Sequence, residues 1–137
     1  MKTTAELTEL FRQRGLKMTA QRQRIFEALT GNERHPTAEA IYATVRRDIP
    51  SISLKTVYQT LNDLVAMGEI QQFELGTGSS RFDPNVDSHH HLVCTSCGRV
   101  RDFHADLSLD VPAEQQRGFL VTTSEVVFRG LCEDCQR

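Results

Sequence analysis

The chain has 137 residues, 39% hydrophobic and 25% charged, with a formal net charge of −2. Such a length holds one ordinary domain or two small ones. No apolar run approaches membrane-spanning length, and the opening MKTTAELTELFRQRG lacks the apolar core of a secretory signal, which predicts a cytoplasmic protein with no membrane role. The charge is unevenly placed. Residues 1–24 hold Lys2, Arg12, Arg14, Lys17, Arg22 and Arg24 against Glu6 and Glu9, whereas the stretch from Gly76 onward has nine acids against six arginines. A basic front and an acidic back suit a nucleic-acid face joined to a metal-collecting half, although an uneven solvated surface gives the same pattern.

The first half reads as helices. Glu6–Arg14 is short and amphipathic and ends at Gly15. Thr19 is placed to cap a helix over Ala20–Leu29, with Ile25, Phe26 and Leu29 facing inward. Pro36-Thr37 opens another, in which Ala38, Ile41, Tyr42 and Val45 recur at helical spacing. Pro50 breaks the chain, and Ser53 caps a helix over Leu54–Met67. Its buried stripe is Val57, Leu61, Leu64 and Val65; Lys55, Thr56, Tyr58, Gln59 and Asn62 take the opposite face. Gly68 stops it. Glu69–Leu75 and Ser80–Asp83, joined by Gly76-Thr77-Gly78-Ser79, have the pattern of a two-stranded hairpin. Three helices followed by a β-hairpin form the winged-helix pattern, whose third core helix enters the major groove of DNA.

Asp83-Pro84-Asn85-Val86-Asp87 reads as a hinge. The predicted organisation is a DNA-binding domain over residues 1–83, a hinge over 84–88 and a second domain over 89–137. In the second, His91–Cys94 and Arg99–Phe103 are predicted strands around a CxxC turn. Asp106–Arg117 is predicted to be helical despite Pro112, and Phe119–Phe128 carries the β-branched run VTTSEVV. The expected fold class is α+β, a winged helix followed by a small domain of mixed helix and strand.

Two CxxC pairs, Cys94/Cys97 and Cys132/Cys135, carry the strongest chemical signal. A CxxC turn presents two thiolates to one ion, and two such turns complete the tetrahedron that structural Zn²⁺ prefers. In a reducing compartment this reading outranks a redox dithiol pair. His89 and His91 alternate by two, so an extended backbone projects both to one side and His90 to the other. Asp83 precedes them, Asp102 follows Cys97 by five residues, and His35 stands in the first half before Pro36-Thr37. For any one of these taken alone, a solvated or structural role is the better reading. His90 and His104 are assigned to surface or local hydrogen bonding.

Gly15-Leu16-Lys17-Met18-Thr19-Ala20-Gln21-Arg22, His35-Pro36-Thr37-Ala38, Thr56-Val57-Tyr58-Gln59-Thr60-Leu61 and His89-x-His91-x-x-Cys94-x-x-Cys97-Gly98 carry a resemblance. In this order and spacing they resemble the Fur family of metal-dependent repressors, from about Leu10 to Cys135. Within it the chain looks most like the peroxide-sensing PerR branch. The resemblance implies a regulatory Fe²⁺ or Mn²⁺ site built from His35, Asp83, His89, His91 and Asp102, with His35 or His89 oxidised by peroxide when iron is bound. Aspartate at position 102 is the distinguishing feature, since iron-sensing members usually carry glutamate there.

A further His-x-Asp metal site of many relatives is lost, because its positions read Ser88 and His90. No cysteine lies near Asp83 to suit a zinc sensor. Gln59 departs from the arginine or asparagine of many relatives. The implied partners are a second copy of the chain, through a zinc-bearing dimerisation domain, and double-stranded DNA with a palindromic, AT-rich operator. Lys55, Thr56 and Gln59 are candidates for base or phosphate contacts, and Tyr58 for packing on a thymine methyl. Lys17 and Arg22 are candidate backbone or minor-groove anchors, with Asn62 or Arg81 assisting. The nearest alternative is an iron- or manganese-responsive repressor using the same residues. A zinc-dependent hydrolase or thiol oxidoreductase is more remote. It needs an open zinc position or a low-pKa thiol, and no nucleophile–base motif is visible; a non-enzyme is expected.

Overall fold

Four helices open the chain: α1 (Thr4–Gln13), α2 (Ala20–Leu29), α3 (Ala38–Arg46) and α4 (Leu54–Ala66). In this computed structural model, residues 1–137 are described except Thr77, Ser88 and Ser108. Each helix starts the same way. Thr3, Thr19, Thr37 and Ser53 have extended backbones, and their hydroxyls accept the N–H groups of Glu6, Arg22, Ala40 and Thr56 at 3.2, 3.2, 3.1 and 3.1 Å. This satisfies one otherwise orphaned donor at each N-terminus. Gly68, at φ +72°, takes the left-handed conformation that ends α4, and the Glu69 N–H returns to the Leu64 carbonyl at 3.0 Å.

The helices then bury their apolar stripes together. Leu7, Phe11, Ile25, Phe26, Leu29, Ile41, Val45, Val57, Leu61 and Leu64 form one cluster, closed by Ile52, Ile70 and Phe82. Phe11 and Phe26 meet edge to face with centroids 5.0 Å apart. Thr60 on α4 is also buried, its hydroxyl donating to the Thr56 carbonyl at 2.8 Å.

β1 (Gln71–Phe73) and β2 (Arg81–Asp83) pair antiparallel, with Gln72 opposite Phe82. These strands are shorter than the predicted arms Glu69–Leu75 and Ser80–Asp83. The predicted connection includes Thr77, outside the described residues. Three helices and this hairpin make the winged helix, within a unit spanning Met1–Asp87. Glu69 is buried at its base. Burial alone raises its pKa, but hydrogen bonds from the Lys2 side chain and backbone outweigh that and hold the carboxyl below its ordinary value.

The second unit, Ser88–Arg137, is a three-stranded sheet in the order β4-β3-β5. Its strands are β3 (His90–Cys94), β4 (Val100–Phe103) and β5 (Val127–Gly130). β3 runs antiparallel to β4, with His91 opposite Asp102, and parallel to β5, with His91 opposite Val127. The expected helix over Asp106–Arg117 is not there: α5 covers only Ala113–Gln116. Pro112, at ψ 138°, stands outside the helix, Arg117 ends it in the left-handed region at φ 48°, and none of its side chains is buried. A segment with no apolar stripe and a proline in its middle has little to hold a longer helix. Ser108, in the same predicted helix, lies outside the described residues. Among the described residues, no helix is long and apolar enough to cross a membrane.

Candidate metal centres

The second unit gathers Cys94 from the end of β3, Cys97 from the turn after it, and Cys132 and Cys135 from the turn after β5. Their four sulfurs lie within 4.8 Å of one another. Cys97 and Cys132 Sγ are 3.8 Å apart, matching the edge of about 3.8 Å expected of a tetrahedron with Zn–S bonds near 2.3 Å.

Backbone geometry builds the turns. The Gly98 N–H bonds the Cys94 carbonyl at 3.0 Å, with Gly98 at φ +78°, and the Cys135 N–H bonds the Cys132 carbonyl at 3.0 Å. The Thr95 N–H to Gly130 carbonyl bond, at 2.8 Å, ties one turn to the other strand. Outside, Arg99 donates to Asp134 at 2.9 Å and Arg101 to Glu133 at 3.0 Å, latching the second turn onto β4.

The thiols are electrostatically unequal. Hydrogen bonds from the Cys97 and Cys132 backbone N–H groups bring Cys94 down to about 6. At Cys135 the Ser96 hydroxyl favours the thiolate, but bonds with the Cys132 and Cys94 sulfurs outweigh it and push the thiol up to about 12. Four thiols in so small a volume cannot all ionise unaided, whereas a divalent cation among them favours all four thiolates. The donor set fits zinc.

Nitrogen and oxygen donors form two further groups, one in each unit. In the first, His35 Nε2 lies 3.2 Å from Asp83 Oδ2. His35 has φ 53°, a left-handed conformation uncommon outside glycine and typically costing about 1–3 kcal/mol. The surroundings determine it closely. Arg81 Nη1 donates to the His35 carbonyl at 3.1 Å, and the Phe82 N–H donates to the Pro36 carbonyl at 2.9 Å. These bonds from β2 bring Asp83 to His35.

In the second unit, Asp102 Oδ1 lies 3.1 Å from His89 Nε2 and 3.4 Å from His91 Nε2. One carboxylate oxygen therefore faces the same nitrogen of both imidazoles. His89 and His91 meet with ring centroids 4.8 Å apart, and the His104 ring is 5.6 Å from His89. His90, between them in sequence, does something else. Its Nδ1 accepts the Val126 N–H at 3.0 Å and its Nε2 is 3.3 Å from the Ala105 carbonyl. This local bonding, with His90 buried rather than at the surface, occupies both nitrogens.

Two partners were not visible in the sequence. Glu125 Oε2 lies 3.6 Å from His91 Nδ1, and Glu39 on α3 accepts the Tyr58 hydroxyl at 2.7 Å. That bond holds the Glu39 carboxyl below its ordinary value. On α4, Lys55 and Gln59 are exposed, Thr56 is half-buried, and Tyr58 is 38% exposed. Lys17 is exposed, whereas Arg22 is engaged within the unit: it donates to the Lys17 carbonyl, lies 3.7 Å from Asp63, and covers the Phe11 ring at 5.5 Å. Asn62 is exposed on α4, and Arg81 is occupied with His35.

The ferric uptake regulator family model matches residues 13–129. The chain is 37% identical to the peroxide-responsive repressor PerR of Staphylococcus saprophyticus over 127 residues, which cover 91% of this chain and 86% of that one. The fold is similar to that of the Helicobacter pylori ferric uptake regulator Fur, with a TM-score of 0.78 at 22% identity, covering 100% of this chain and 98% of that one. It is also similar to PerR from Streptococcus pyogenes, with a TM-score of 0.57 at 28% identity, covering 99% of this chain and 95% of that one. Together with the winged helix and the four-cysteine knot, these matches mean that the chain belongs to the ferric uptake regulator family of metal-responsive, dimeric, DNA-binding repressors.

Proposed function

We propose that this chain is a cytoplasmic repressor that releases its operator when hydrogen peroxide oxidises an iron-loaded regulatory site. The observation that carries this reading is Asp102 Oδ1 set between the Nε2 atoms of His89 and His91. It is a short, thiol-free donor group suited to Fe²⁺ or Mn²⁺, with aspartate where the peroxide-sensing branch is expected to have it. The similarity to PerR proteins supports the same reading. The family resemblance adds His35 and Asp83, from the other side of the predicted hinge at 84–88, as the remaining two ligands of the proposed set. Ser88, within that hinge, lies outside the described residues.

The chain's own residues then make a switch. With all five ligands engaged, the winged helix is held for DNA; with one lost, it is released. When bound, Fe²⁺ supplies the electrons that reduce peroxide beside its ligands. His35 or His89 is the imidazole that would take up one oxygen and then cease to ligate. Mn²⁺ in the same place would be comparatively inert, leaving the protein less sensitive to peroxide. Zn²⁺ held by Cys94, Cys97, Cys132 and Cys135 builds the dimerising unit. Exposed Leu109, Phe119, Leu120 and Leu131 on that unit suit burial against a second copy.

A dimer carries two α4 helices, which match a palindromic, AT-rich operator. Lys55, Thr56 and Gln59 reach bases or phosphates. Tyr58 offers its ring to a thymine methyl while Glu39 holds its hydroxyl, and Lys17 and Arg22 anchor the backbone.

The test is to load zinc-replete protein with Fe²⁺ or Mn²⁺, add stoichiometric peroxide, and measure DNA binding and peptide masses. Loss of DNA binding, with one oxygen added at His35 or His89 in the iron form alone, is expected. Iron protein that keeps its DNA through this treatment would instead be an iron- or manganese-responsive repressor.

A further inference from the structure

Beyond the five ligands, one carboxylate is built against the back of the site. β3 lies between β4 and β5, and on one face of this sheet His91 has Asp102 opposite it on β4 and Val127 opposite it on β5. Glu125 is two residues before Val127, so an extended chain puts its side chain on the same face. The two ring nitrogens of His91 then meet different carboxylates. Nε2 is 3.4 Å from Asp102 Oδ1, and Nδ1 is 3.6 Å from Glu125 Oε2.

The backbone next to Glu125 is fixed from β3. The Val126 carbonyl accepts the His91 N–H at 3.1 Å, and the Val126 N–H donates to His90 Nδ1 at 3.0 Å. His90 thereby holds the chain that carries Glu125 beside the neighbouring imidazole.

We propose that Glu125 is the positioning carboxylate of His91: it accepts the Nδ1–H, fixes the tautomer whose Nε2 lone pair faces the metal, and strengthens that nitrogen as a donor. The physical basis is general. A ligating imidazole that donates its other N–H to a carboxylate is held in orientation and made more basic, and loss of such a partner typically lowers metal affinity 10–100-fold. At 3.6 Å the pair is longer than a hydrogen bond. The Glu125 side chain is 53% exposed, so it has room to close the gap when Nδ1–H is polarised. The same exposure places the effect near the lower end of that range.

This inference rests on the proposed regulatory site, and the controls separate the two. In zinc-loaded, full-length protein, Mn²⁺ binding is titrated by the loss of the free-ion EPR signal. Glu125→Ala should weaken Mn²⁺ about tenfold. Glu125→Gln, which keeps an acceptor oxygen but no charge, should fall between it and the wild type. Zinc content and thermal melting should be unchanged. Glu125→Ala within about twofold of wild type, or Glu125→Gln indistinguishable from it, overturns the proposal. His89→Ala and Asp102→Ala report on the site itself. If they also leave Mn²⁺ binding intact, the site reading fails; if they abolish it while Glu125→Ala does not, only the role of Glu125 fails.

Discussion

Asp102 reaches two imidazoles with a single methylene because its backbone stands directly opposite His91 across an antiparallel pair. A glutamate there would carry its carboxylate about 1.5 Å further, one C–C bond, past the midpoint between the two Nε2 atoms. Asp102→Glu should therefore keep metal-dependent DNA binding while requiring more peroxide to release the operator, as read in a binding assay under graded peroxide. Unchanged sensitivity would show that position 102 does not set the response. At this scale the sequence disclosed what lies on one strand: the His89-x-His91 alternation needs only the two-residue period of an extended chain. The contacts of Glu125 with His91 and of Arg81 with His35 could not be read from the sequence, because they depend on pairing. Glu125 comes to His91 through the parallel β3–β5 register, and Arg81 to the His35 carbonyl through strand β2, 46 residues on.

The four long helices were legible from their apolar stripes. The helices α2 and α4 were bounded best because the Thr19 and Ser53 caps agree with the stripe, whereas α1, read without its Thr3 cap, starts two residues before the expected Glu6. Ser53 is the sharpest case. Its hydroxyl accepts the Thr56 N–H at 3.1 Å at the start of the helix proposed to enter DNA. Ser53→Ala should cost about 1 kcal/mol in urea unfolding, and a loss within error would mean that water satisfies the Thr56 N–H equally well. Where the local signals conflicted, the prediction failed. Asp106–Arg117 offered helix-forming residues at its end but had Pro112 inside and no apolar repeat, and only Ala113–Gln116 is helical. VTTSEVV has the β-branched content of a strand, yet the ladder begins at Val127 and continues through Gly130. Propensity describes a residue's fit to a pleated surface, whereas the parallel partner decides where the strand is.

The two units draw their stability from different sources. Met1–Asp87 has a continuous apolar core, from Leu7 and Phe11 through Leu64 to Phe82. In Ser88–Arg137 the buried apolar side chains of the described residues are Val93 and Val100, with Cys94 beside them, while Phe119 and Leu120 are 78% and 86% exposed. A domain this small, with so little buried, needs a staple, and four sulfurs supply one by joining the β3 turn to the β5 turn. The staple depends on ionisation. With Cys94 at about 6 and Cys135 at about 12, the cysteines do not all become thiolates at neutral pH unless zinc is among them. Removing zinc with a strong chelator should therefore melt β3 and β5 while α2 and α4 stay folded. Hydrogen exchange is expected to show His91 and Cys94 amides losing protection, Phe26 and Leu61 amides keeping theirs, and readded zinc restoring the first pair. Since β3 also carries His91 and positions His89, the zinc-free chain should lose Mn²⁺ binding together with the sheet. Protection at His91 that survives complete zinc removal would mean that the sheet stands on its own hydrogen bonds and that sulfur serves some purpose other than architecture.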